Sequence, residues 1–101
     1  MKYEVYHAVK PTFGMSVPKF PEEYAKVAIV EAGDLEDVFR LTNHIDEDWM
    51  KNPEVLETVG VRFRSTSVGD VVVDGDKIVW YCAACGWKKY SEIGVDNFLG
   101  V

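Results

Sequence analysis

Residues 61–90 read VRFRSTSVGDVVVDGDKIVWYCAACGWKKY, and the fold turns on this stretch. It holds three apolar runs of strand length, two turn signals, both cysteines and two of the three tryptophans. Val61 and Phe63 alternate with Arg62 and Arg64, the period of a half-buried strand entering Ser65-Thr66-Ser67. Val68-Gly69-Asp70 makes a turn or bulge ahead of Val71-Val72-Val73. Asp74-Gly75 is a hairpin signal, Asp76 extends the loop, and Ile78 to Ala84 returns as the partner strand. Gly86 breaks or bulges that strand, and Trp87 to Tyr90 forms a last short pairing segment. The stretch reads as structure rather than as chemistry.

Upstream, Lys2 to Val9 alternates. Tyr3, Val5 and His7 share one side and Glu4, Tyr6 and Ala8 the other, which makes a strand with aromatic surface on both faces. Pro11 ends it. Pro11 to Glu23 carries three prolines and no clean period, so it is a long loop pinned by Phe13 and Phe20. Tyr24 to Ala32 is a largely buried strand. Gly33 closes it, and Asp34 is placed as an N-cap with Asp37 three positions on. Leu35, Val38, Phe39, Thr42 and Ile45 follow at helical spacing, with acidic residues in the first turn where the helix dipole favours them. The segment Asn43 to Asn52 ends that helix and turns around Trp49 and Met50 before Pro53. Val55 to Val61 fits no single element. In the tail, Val95, Phe98 and Leu99 are available to dock on the core.

The expected fold is therefore α+β: a mainly antiparallel sheet with one principal helix, Asp34 to about His44, packed on one face. One domain is expected from 101 residues. Its core is expected to draw on Val27, Ile29, Leu35, Val38, Phe39, Val61, Phe63, Val71, Val73, Ile78, Trp80 and Ala84.

The chain carries a formal charge of −6, which disfavours binding to nucleic acid through clustered lysines and arginines. The charge is uneven. Nine acidic residues between Glu31 and Glu57 face only Arg40 and Lys51, while the remainder is close to neutral. No apolar run approaches the length of a membrane span. The alternating N-terminus does not read as a signal peptide, and two cysteines without one point to the cytoplasm.

Cys82-Ala83-Ala84-Cys85-Gly86 is half of a zinc knuckle, since a turn there brings two thiolates to one metal. Only His7 and His44 remain to complete four ligands, and residues three apart on a strand point to opposite faces. Two unreactive small residues are the plainer reading, and no other cofactor motif is present. His7 and His44 can act as bases, but neither has an evident partner. Ser65, Thr66 and Ser67 lack a nucleophile frame and are expected to cap the turn through local side-chain to backbone bonds. Asp46, Glu47 and Asp48 lack the loop of a calcium site and read as a solvated acidic face. Arg62, Arg64, Lys88 and Lys89 form a small basic stripe if their strands pair. No catalytic constellation emerges.

Arg64-Ser65-Thr66-Ser67-Val68-Gly69-Asp70-Val71-Val72, continuing through Trp80-Tyr81-Cys82 to Gly86-Trp87, resembles the YodL-like group of small proteins of bacteriophages, plasmids and bacteria. Their pattern is roughly S-x-S-V-x-D-V-hydrophobic, a hairpin, an aromatic-rich strand and Gly-aromatic. The resemblance implies a mobile-element origin and a protein that modulates a host component; it transfers no reaction and no ligand. The expected function is a non-enzymatic protein-interaction module. It would meet a host protein of basic or mixed surface through Asp46, Glu47, Asp48 and Trp49 and the loop aromatics Phe13 and Phe20. The alternative is a small nucleic-acid- or zinc-binding accessory factor using Arg62, Arg64, Lys88, Lys89 and the pair Cys82 and Cys85.

Overall fold

The computed structural model describes residues 1–10, 17–43, 49, 53–59, 65–84 and 86–93, which form one antiparallel sheet with a helix across one face. In chain order the elements are β1 (Lys2–Ala8), β2 (Tyr24–Glu31), α1 (Leu35–Thr42), β3 (Val55–Thr58), β4 (Val71–Val73), β5 (Val79–Ala83) and β6 (Gly86–Lys89). Across the sheet the order is β3-β2-β1-β4-β5-β6. The α+β architecture expected from the sequence is the one observed. Because β4 lies beside β1, the chain must cross from one edge of the sheet to its middle between β3 and β4. Residues 65–70 end that crossing.

Asp34 begins α1 as its sequence position predicts, its carboxylate accepting the Asp37 N–H at 2.8 Å. Asp37 returns a bond to the N–H of Gly33, at 3.1 Å, and holds Arg40 one turn on. The helix stops at Asn43, whose N–H reaches the Phe39 carbonyl. Its inward side chains, Val38 and Leu41, pack with Trp49 on Tyr3, Val5, Ala28, Val30 and Val72. Full burial of a side chain such as Val38 contributes about 1.5–3 kcal/mol.

The opposite face is also covered. Ala8, Tyr24, Val71, Tyr81 and Ile93 form a second cluster, closed over by Phe20 and Tyr90. The Phe20 ring stands edge-on to Tyr6 with centroids 5.0 Å apart, and it also meets Tyr24 and Tyr90. The Tyr90 hydroxyl accepts the Phe20 N–H at 2.8 Å and donates to the Pro18 carbonyl. Phe20 thus pins its loop, as expected; Phe13 lies outside the described residues.

Coverage on both faces corrects the expected core. Val27, Val38, Val71 and Val73 are buried, but so are Tyr3, Val5, Val30, Trp49, Val72 and Tyr81. Ile29, Leu35, Phe39, Ile78 and Trp80 are only partly buried, and Ala84 is exposed because it stands in the turn between β5 and β6. Val61, Phe63, His44 and the tail residues Val95, Phe98 and Leu99 fall outside the described residues. Among the described residues no helix is long and apolar enough to cross a membrane.

The β4–β5 hairpin differs from a two-residue Asp-Gly turn. Asp74 N–H bonds the Ile78 carbonyl and Lys77 N–H bonds the Asp74 carbonyl, so three residues form the loop and Lys77 takes the left-handed position, φ 67°. What fixes this wider loop is the Asp74 carboxylate, which accepts from the N–H groups of Asp76 and Ile78 and from Trp80 Nε1 at 2.8, 3.0 and 2.9 Å. Partial burial alone would raise its pKa, but these three donors outweigh that and hold it below the ordinary 3.8. A lowered folded-state pKa gives stability that is complete above the unfolded value and lost as pH falls through the folded one. Thermal unfolding followed from about pH 7 down to pH 3 should therefore cost the wild type more degrees than Asp74→Asn. An identical acid limb in the two proteins would show that the loop does not depend on this charge.

Candidate functional site

Three places bring chemistry-bearing residues together. The first is the end of the crossing, where Ser67-Val68-Gly69-Asp70 closes a turn through an Asp70 N–H bond to the Ser67 carbonyl at 3.1 Å. Gly69 sits there at φ 102°, the conformation that a type II turn needs in its third position and that glycine supplies without strain. The Asp70 side chain is 1% exposed. One carboxylate oxygen accepts the N–H of Ala8, at the end of β1, at 2.9 Å, and the other accepts the N–H of Ser67 at 2.8 Å. The Asp70 carbonyl accepts the Cys82 N–H at 2.9 Å, and the Tyr24 hydroxyl donates to the Gly69 carbonyl at 2.7 Å. Burial drives the Tyr24 pKa strongly upward, so its phenol stays a donor.

Beside this turn, His7 Nε2 lies 3.0 Å from Thr66 Oγ1 and 4.0 Å from Asp70 Oδ2, and the imidazole stands edge-on to Trp49. The structure thus gives His7 partners that are distant in sequence. The trio has the composition of a hydroxyl, a base and an acid, but not the geometry. In a nucleophile–base relay the acid holds the ring nitrogen away from the hydroxyl. Here Asp70 and Thr66 address the same nitrogen, and Thr66 is fully buried. Thr66 also receives Asn43 Nδ2 on its carbonyl and donates its N–H to the Thr42 carbonyl, which fastens the crossing to the end of α1. For Thr66 the expected local capping is corrected, since its hydroxyl reaches across to His7 on β1, and the Asp70 carboxylate takes the Ser67 N–H of the turn.

The second place is a half-open cleft of about 360 Å³ between α1 and the β5–β6 turn. Phe39 and Trp87 form its walls, with ring centroids 6.4 Å apart, and Cys82 and Glu36 also line it. Gly86 lets the chain reverse there at φ 119°. Cys82 is buried, and that burial, with the negative charges of Asp70 and Glu36, pushes its thiol up to about 12. A zinc ligand or a nucleophile must be a thiolate, and this environment opposes one. Cys85 lies outside the described residues, and among those described no group of three or more metal-ligating side chains converges.

The third place is the β3 edge. Leu56 is 50% and Val59 48% exposed, and Glu54, Glu57 and Thr58 beside them are exposed as well. Sequence reasoning left this segment unassigned. Four residues with no alternation carry no periodic signal, and only Val55 of the four packs on the core.

The residues expected to form surfaces are distributed differently. Trp49, expected at a docking surface, is 2% exposed and belongs to the core under α1. Phe20 is spent in the aromatic cluster of the second face. Asp46, Glu47, Asp48, Arg62 and Arg64 lie outside the described residues. Lys88 and Lys89 are consecutive on β6 and so point to opposite faces of the sheet. Lys89 extends over the Trp80 ring at 5.9 Å, while Lys88 stands opposite Tyr81 on the far side. They do not share a stripe.

No family model, no curated protein and no solved structure matches this chain.

The Cys82 environment makes a direct prediction. In a Cys85→Ala background at pH 8, native Cys82 should react with iodoacetamide about two to three orders of magnitude more slowly than a free thiol. The same protein in denaturant should react at the free-thiol rate. Rapid alkylation of the native protein would show an accessible, activated thiolate and return the cysteine to the list of chemical groups.

Proposed function

We propose that this chain is a non-enzymatic protein-interaction module that binds a partner of basic or mixed surface through the acidic border of its sheet. The observation that carries the reading is the β3 edge: two half-exposed apolar side chains, Leu56 and Val59, set among the exposed carboxylates Glu54 and Glu57. Large apolar side chains ringed by charge are the composition of a contact patch rather than of a solvated face. Asp34 and Glu36 extend the negative potential to the start of α1, in the part of the sequence that concentrates the acidic residues. Such a field speeds encounter with a cationic partner and repels acidic competitors. The likeness of residues 64–87 to the YodL-like proteins supports a mobile-element origin, with a host protein as the target.

The test is affinity capture from lysate of the native host, with the wild type compared with the double reversal Glu54→Lys, Glu57→Lys. A basic host protein should be recovered by the wild type, released as salt rises, and reduced about tenfold or more by the reversal. Equal recovery by both proteins would refute the acidic border as the binding surface.

A further inference from the structure

We infer that β3 is a docking edge to which a partner's extended segment, alternating cationic and apolar side chains, adds as a seventh strand. This rests on the interaction reading above and names its mode. The inward bonds of β3 are made: Glu31 N–H reaches the Glu54 carbonyl at 2.8 Å, and Val59 N–H reaches the Val27 carbonyl at 2.9 Å. Antiparallel pairing turns successive residues alternately inward and outward. With Val59 turned in and Thr58 set opposite Ala28, the Thr58 N–H and carbonyl face away from β2. Thr58 itself is exposed, and β3 is the last strand on its side of the sheet.

The two edges of the sheet are guarded in different ways. β6 carries Lys88 and Lys89, both exposed, and lysines on an edge strand discourage pairing with any neutral or basic strand. β3 has no lysine and no proline within Val55–Thr58. Its short length and the register shift opposite Ile29 and Val30 limit open-ended pairing. Glu54 and Glu57 repel a second copy of β3, since an edge-to-edge dimer would bring like carboxylates together. The same two carboxylates attract lysine or arginine on an incoming strand. The edge is therefore closed to itself and open to a cationic strand, whose cationic side chains would share a face with Glu57 and whose apolar side chains would lie on the other face. Strand addition takes affinity from main-chain bonds and specificity from alternate side chains, which is the division of labour these residues offer.

The proposal is tested on the full chain with a fluorescent peptide, Lys-Val-Lys-Val-Lys-Val-Lys, by polarisation and by amide chemical shifts of β3. Thr58→Pro removes the outward N–H but no inward bond, a place where an edge strand accepts proline. Binding should weaken about tenfold or more in Thr58→Pro and stay within about twofold in Thr58→Ala. To keep the test independent of the variant's folding, two peptides N-methylated on alternate residues are compared with the wild-type protein. One should lose binding and the other keep it. Equal binding of both methylated peptides, or unchanged binding by a folded Thr58→Pro, overturns strand addition while leaving a charge-based acidic surface standing. No binding of the parent peptide also overturns it. A wild-type dimer in ultracentrifugation that Thr58→Pro abolishes would overturn the choice of occupant in favour of a second copy. Loss of host-protein capture by the Glu54→Lys, Glu57→Lys protein remains a separate readout, so failure of the mode and failure of the acidic-border reading are distinguishable.

Discussion

Two backbone N–H groups distant in sequence, those of Ala8 and Ser67, converge on the carboxylate of Asp70 in the interior of the protein. A buried carboxylate is tolerated only where donors replace the water it has lost. Those donors in turn lose a water partner of their own, so each side of the arrangement requires the other. The consequence is architectural. The crossing from β3 must land beside β1, and Asp70 ties the landing point to the last residue of β1 while Thr66 ties it to His7 and to the end of α1. From that tie Val71–Val73 run in register between β1 and β5.

From this follows where the molecule can do anything else. With β4 in place, one face of the sheet is covered by α1 and Trp49 and the other by Phe20, Tyr90 and Ile93. The polar groups most suggestive of chemistry, His7, Thr66, Asp70 and Cys82, are consumed by that construction. Among the described residues, the exposed parts include the lysine-bearing β6, the acidic start of α1, and β3 with Leu56. The proposed function lies at the edge because, among the described residues, both faces carry a packed cluster.

The parts legible in the sequence were those with a local cause. Asp34 and Asp37 announce a helix start through bonds within five residues, Tyr3-Val5-His7 announces a strand face by alternation, and the runs before and after Asp74-Gly75 announce a hairpin. What could not be read is what depends on distant partners. Asp70 in a turn looks like any turn aspartate until Ala8 is brought to it, and Trp49 beside an acidic triplet looks like a surface residue until α1 lies over it. Val71-Val72-Val73 carries no alternation because both of its faces are buried, so the sequence cannot say which side each residue serves. The β3 edge was hidden for the opposite reason: with only Val55 of its four residues packed on the core, it carries no period. Of the CxxC spacing, the loudest motif, only Cys82 can be placed, and its burial opposes the thiolate that a metal would need.

The measurement that bears most directly on this account is the urea unfolding free energy of Asp70→Ala and Asp70→Asn against the wild type. If Asp70 is a structural tie, the alanine protein takes the acceptor from the Ala8 and Ser67 N–H groups, each costing about 1–3 kcal/mol, and loses about 2–6 kcal/mol in all. The asparagine protein, which keeps one carbonyl acceptor in the same space, should lose less. A carboxylate retained for chemistry behaves in the opposite way, because functional sites carry strain and unfavourable charge that substitution relieves. An Asp70→Ala protein as stable as the wild type, or more stable, would contradict the account and make the His7–Thr66–Asp70 cluster a site to be explained by function.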